Sequence, residues 1–110
     1  GNGVYYYPDG DVYIGEFSDD NLNGIGKYIY KCGEVLKGTF KHDVRQGRFV
    51  SKEKDLLFEV IYNNDAMVHY KQITEDDINE GKYKKINIYS LKDMEIPENF
   101  IPESPTLEYF

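Results

Sequence analysis

"GDVYIGEF", Gly10–Phe17, and "GEVLKGTF", Gly33–Phe40, set glycine, a large apolar residue, glycine and phenylalanine at one spacing twice, 23 residues apart. Extended outward, the two stretches become units: residues 1–23 read GNGVYYYPDGDVYIGEFSDDNLN and residues 24–46 read GIGKYIYKCGEVLKGTFKHDVRQ. Gly1, Gly3, Tyr5, Tyr7, Gly10 and Val12 fall on Gly24, Gly26, Tyr28, Tyr30, Gly33 and Val35. Tyr13 falls on Leu36, Gly15 on Gly38, Phe17 on Phe40 and Asp20 on Asp43. A fixed period of this length marks a repeat architecture whose units stack to bury their apolar faces. A third unit, 47–68, is eroded and one residue shorter; Phe58, Val60 and Tyr62 stand for Leu36, Gly38 and Phe40, and the internal glycines are gone.

Each unit reads as a β-hairpin. Side chains two apart share a strand face, which puts Tyr5 with Tyr7 on one strand and Tyr13, Gly15 and Phe17 together on the next. Between them YPDGD, Tyr7–Asp11, is turn chemistry: Pro8 presets φ and Gly10 is free to take a positive φ. In the second unit YKCGE keeps only the glycine, so the hairpin there rests on the repeat. Gly15 and Gly38 lie on the ring-bearing face between large residues, where the missing Cβ leaves a slot for an aromatic ring of the neighbouring hairpin, or marks a bend.

The pattern Gly-x-Gly-x-Tyr-x-Tyr, turn, Gly-x-x-Tyr-x-Gly-x-Phe resembles the MORN repeat (membrane occupation and recognition nexus) over Gly1 to about Val68. The resemblance implies a mainly β fold: a single-layered, twisted ribbon of antiparallel hairpins with aromatics along a groove. By position, Tyr5, Tyr7, Tyr13, Phe17, Tyr28, Tyr30, Leu36, Phe40, Phe58 and Tyr62 would line that groove or stack within it. Asp20 and Asp43 stand where the family commonly has glycine; aspartate tolerates positive φ better than most residues, so the turn survives.

Composition limits the function classes. The chain has 110 residues, 40% hydrophobic and 30% charged, with 11 Tyr, 6 Phe and no Trp, as expected for one soluble domain whose core is rich in rings. No apolar run reaches the roughly 20 residues of a membrane-spanning helix, and Gly1 opens no signal segment. One cysteine, Cys32, excludes an internal disulfide and fits a reducing compartment, hence the cytoplasm, with peripheral attachment to membrane or cytoskeleton as the family extension. The formal net charge of −7 argues against nucleic acid. The acids concentrate in residues 1–23 and the bases in residues 24–46.

From His69 the period stops, making 69–110 a capping or interaction tail. Thr74 is a candidate N-cap for a short helix over 75–80 that stops at Gly81. KYKKINIYSL, Lys82–Leu91, alternates Ile86 and Ile88 with polar residues and reads as a strand or extended segment. Pro97, Pro102 and Pro105 exclude regular helix beyond it. Phe100, Ile101, Leu107, Tyr109 and Phe110 are tail contacts, made in cis along the last hairpin or in trans in a second copy's groove. Gly1 opens a unit with nothing before it, as a chain cut from further repeats would, or one begun by a tag.

No catalytic, cofactor or metal constellation stands out: His42, His69 and Cys32 have no convergent partner, and Glu75, Asp76 and Asp77 read as a solvated helix start. Three functions follow: a non-catalytic scaffold holding a protein segment in the aromatic groove and self-associating as a homodimer through the tail; a membrane module whose Lys27, Lys31, Lys37 and Lys41 meet anionic phospholipid; or an accessory domain of an enzyme, since similar repeats accompany lipid kinase and SET-type methyltransferase domains.

Overall fold

The computed structural model describes residues 1–97 and the backbone of residues 107–109. Seven strands follow one another: β1 (Asn2–Tyr6), β2 (Val12–Ser18), β3 (Asn21–Ile29), β4 (Val35–Lys41), β5 (Val44–Glu53), β6 (Leu56–Asn63) and β7 (Ala66–Ile73). A further strand, β8 (Leu107–Tyr109), pairs antiparallel with the outer edge of β1, giving the order β7-β6-β5-β4-β3-β2-β1-β8.

The turns explain the period. Tyr7 N–H donates to Asp11 O at 2.9 Å and Gly10 N–H to Tyr7 O at 3.1 Å; Tyr30, Gly33 and Glu34 repeat the same pair of bonds. Gly33 therefore suffices, because its φ of +101° is the one element the three-residue loop cannot obtain elsewhere. The third hairpin closes instead through Lys54–Asp55, and the lost residue is lost there. Between units the turns are Asp19–Asp20, His42–Asp43 and Asn64–Asp65, with both φ values positive in each pair, as type I′ turns require. Aspartate adds what glycine could not: Asp43 Oδ1 accepts from Leu22 N–H at 2.7 Å, while Asp43 N–H donates to Leu22 O at 3.0 Å. Asp65 stitches Arg45 in the same way.

Alternation sorts the side chains onto two faces. One face buries Tyr13, Phe17, Leu22, Leu36, Phe40, Phe49, Val60 and Tyr62. Five of these rings run edge to face across the sheet: Phe17–Tyr13 at 5.1 Å, Tyr13–Phe40 at 5.2 Å, Phe40–Phe49 at 5.3 Å and Phe49–Tyr62 at 5.2 Å between centroids. Beneath them Gly3, Gly15, Gly26 and Gly38 are mutual cross-strand partners, and Gly38 is opposite Phe49. A Cβ on Gly38 would stand 2.5 Å from the Phe49 ring, and one on Gly26 would collide with the hydroxyl end of the Tyr13 ring.

The expectation for Gly15 is corrected here. A Cβ there would meet Gly26 Cα at 2.5 Å and the Tyr13 hydroxyl at 2.8 Å, so the nearby ring belongs to its own strand and the slot is at Gly26. The eroded third unit also has a cause: Leu36, in the place of Tyr13, is too short to cover the next slot, and Phe49, in the place of Gly26, fills it from the other side.

The opposite face is largely aliphatic, with Val4, Tyr6, Val12, Ile29, Val35, Val50, Leu57 and Ile73 buried with Ile78, Tyr83, Ile86, Ile88 and Met94 of the same chain. The described tail is thus a cover in cis. Helix α1 (Glu75–Asn79) has Thr74 as N-cap in a capping box with Asp77, as its sequence pattern anticipates. The repeats were expected to end at Val68, but β7 carries the sheet through Ile73 because His69–Ile61 and Tyr70–Val60 still pair. The strand expected over 82–91 is replaced by a 3-10 turn at Lys84–Ile86 followed by Asn87 at φ 57°. A 3-10 turn aligns residues three apart, so Tyr83 and Ile86 reach the sheet together and the left-handed Asn87 returns Ile88 to it. Arg48 pins the cover, its guanidinium 4.4 Å from the Tyr83 ring centroid while Nε meets Glu59 at 2.5 Å.

Gly38→Ala is expected to cost about 1–3 kcal/mol by overpacking, and in combination with Phe49→Ala the costs should be clearly less than additive in urea unfolding, since the second change removes the clash. Met94→Ala, on the buried side of the tail, should cost about 2–5 kcal/mol in the same measurement; a negligible loss would show that the tail is not part of the folding unit.

Candidate functional site: the aromatic face

Above the buried rings lies a second tier. Tyr5, Tyr7, Tyr28 and Tyr30 are half-buried and form a ladder, with centroids 4.6 Å apart for Tyr5–Tyr7, 5.6 Å for Tyr7–Tyr28 and 4.8 Å for Tyr28–Tyr30. They are positioned by β1, β3 and the loop starts that follow these strands. Together with Phe17, Leu22 and Phe40 they border an open groove of about 590 Å³, with Asp20, Asp43, Arg45 and Asp65 on its walls.

Six of the ten expected groove residues therefore meet at this groove: Tyr5, Tyr7, Phe17, Tyr28, Tyr30 and Phe40. Tyr13, Leu36 and Tyr62 are buried in the ring layer, and Phe58 stacks on Tyr70 at 4.6 Å towards the β7 edge. Leu22 and Arg45 were missed, although they share one repeat position, and so was Asp65; Asp20 and Asp43 were noticed only as turn residues.

Much of the ring polarity is already engaged. Tyr28 hydroxyl donates to Asp11 Oδ2 at 2.8 Å and Lys31 N–H to Asp11 Oδ1 at 2.8 Å, which ties the first two hairpin loops together. Tyr13 hydroxyl donates to Glu16 O at 3.0 Å. Burial, then the Asp43 charge, pushes the Tyr7 hydroxyl up to about 12, and burial raises Tyr13 and Tyr28 further. Burial also raises Tyr30 and Tyr62, against the opposing pull of Arg45.

The four lysines expected to share a surface do not. Lys27 Nζ donates to Glu95 O at 2.9 Å and Lys37 Nζ to Asn87 O at 2.7 Å, both on the aliphatic face and both with pKa lowered chiefly by burial. They are cross-strand partners that hold the tail, whereas Lys31 and Lys41 are exposed in and beside turns. Of the expected tail contacts, Leu107 and Tyr109 belong to β8, opposite Tyr5 and Gly3; Phe100, Ile101 and Phe110 lie outside the described residues.

Comparison with protein families matches residues 1–12 and 13–33 to the MORN repeat. The match over residues 1–33 supports a MORN-repeat protein. No curated protein matches it. MORN repeats serve as scaffolds or membrane-binding modules and are generally non-catalytic, and the hairpin ribbon found here agrees with that family. Among the described residues no helix is long and apolar enough to cross a membrane.

The raised tyrosines fix a sign. In the folded chain they hold protons that the unfolded chain releases near pH 10, so stability is intact below about pH 10 and falls as pH rises through the folded values. Absorbance titration should show Tyr7 ionising near 12, with Tyr13 and Tyr28 resisting until unfolding, and the melting temperature should drop over the same alkaline range.

Proposed function

We propose that this MORN-repeat chain is a non-catalytic binding module that holds a segment of another protein on its aromatic face. The observation that supports this is the asymmetry of the sheet: the aliphatic face is covered by residues of the same chain, while the half-buried tyrosine ladder borders an open groove. Tyrosines suit such a surface because a large ring with few rotatable bonds gives contact area at small entropic cost. A cytoplasmic setting, consistent with the exposed free thiol of Cys32, belongs to the same proposal.

A phospholipid-targeting module is the alternative. It would have to rely on Lys31 and Lys41, because Lys27 and Lys37 are engaged with the tail, and a surface potential adds only about 1 kcal/mol per exposed base. As an accessory domain of a larger enzyme the chain would use the same groove. Self-association through residues beyond 97 is compatible with it and would appear as a concentration-dependent mass in sedimentation.

Selection of a displayed peptide library on the immobilised chain tests the proposal. Selected peptides should lose about tenfold or more in affinity on Tyr5→Ala/Tyr30→Ala, with the far-UV spectrum unchanged, and keep it on Lys41→Ser. Peptides indifferent to the ladder would overturn the reading, and salt-reversible capture by phosphatidylserine vesicles would put the lipid alternative first.

A further inference from the structure

One arginine of the chain already sits in the groove. Arg45 lays its guanidinium 4.2 Å from the Tyr62 centroid, pairs Nε with Asp65 Oδ1 at 2.6 Å and donates Nη1 to the Tyr62 hydroxyl at 3.1 Å. All three residues occupy repeat positions. One unit earlier Tyr62 corresponds to Phe40, Asp65 to Asp43 and Arg45 to Leu22; in the first unit the ring and the acid are Phe17 and Asp20.

The backbone stitch is common to both junctions, since Asp43 Oδ1 takes Leu22 N–H as Asp65 Oδ1 takes Arg45 N–H. The cation is not common. Leu22 is buried and apolar, and among the described residues the exposed Asp43 carboxylate has no counter-charge and the exposed Asp20 carboxylate has no hydrogen-bond or ion-pair partner. Both acids face the groove beside a ring.

We propose that the groove takes an amphipathic helix of a partner protein that presents arginines to Asp20 and Asp43 as Arg45 is presented to Asp65, with apolar side chains between them on the tyrosine ladder. This rests on the protein-binding reading of the aromatic face. The spacing selects a helix. Equivalent residues of successive hairpins are two strands apart, about 10 Å at the usual strand separation. Helix residues seven apart are separated by about 10.5 Å and return to nearly one face. An extended chain covers that distance in about three residues, and residues three apart on a strand point to opposite sides. Guanidinium is the matching cation because it pairs a carboxylate while stacking on a ring.

Two synthetic helical peptides with one apolar stripe, carrying either arginine or glutamate at two positions seven apart, test this by titration into the intact chain with tyrosine ring signals followed by NMR. The arginine peptide should shift the Tyr7 and Tyr28 signals and bind at least about tenfold more tightly than its counterpart, with a preference that weakens at high salt. Asp20→Asn/Asp43→Asn, which keeps the turn conformation and the Oδ1 acceptor, should abolish the preference, whereas Asp55→Asn should leave it. Equal affinity of the two peptides, with ring signals shifted by both, overturns the arginine assignment and leaves the groove reading standing. Unmoved ring signals with either peptide overturn both.

Discussion

Aromatic rings lying across strand positions that have no side chain are the contact on which this molecule depends. Tyr13 over Gly26 and Phe49 over Gly38 bring rings down to backbone level, which allows Phe17, Phe40 and Tyr62 to join them edge to face in one run across the sheet. Each such pair adds about 0.5–1.5 kcal/mol beyond the apolar area it buries. The glycines cost strand stability in themselves, so their presence in one cross-strand row makes sense only with the rings in place.

The two faces divide the work. The aliphatic face behaves as an ordinary half-core and is closed by residues 74–97, with Lys27 and Lys37 donating to tail carbonyls and Arg48 lying on Tyr83. The aromatic face is closed in its lower tier alone. Its upper tier, the tyrosine ladder, keeps part of its surface in water, and Asp20 and Asp43 add negative charge to an apolar groove. Turn residues become wall residues here because the type I′ turns place aspartate beside the ring of the same hairpin.

The hairpins, their period and the ring-bearing face were legible in the sequence because strand alternation and turn glycines are local signals. The aliphatic face was harder to see. Val12 and Val35 were visible as a repeated pair, yet nothing local says that Ile78, Ile88 and Met94 would come to cover them. The 82–91 stretch misleads for a related reason: Ile86 and Ile88 alternate as in a strand, but a 3-10 turn and a left-handed Asn87 serve the same burial. Lys27 and Lys37 read as surface charge because the segment that half-buries them lies far along the chain. In the groove, the tyrosines were recoverable from spacing, whereas Arg45 became meaningful only when its place over Tyr62 was seen beside Leu22.

The exchange of Tyr13 with Gly26 for Leu36 with Phe49 also has a genetic consequence. Tandem copies in a gene invite unequal crossing-over, which would splice one unit's second strand to another unit's first. Joining a β2-type strand to a β5-type strand would bring Tyr13 and Phe49 to compete for one notch, and joining a β4-type strand to a β3-type strand would leave the notch empty. These units resemble one another and yet are not interchangeable, so the order in which they occur is itself under physical constraint.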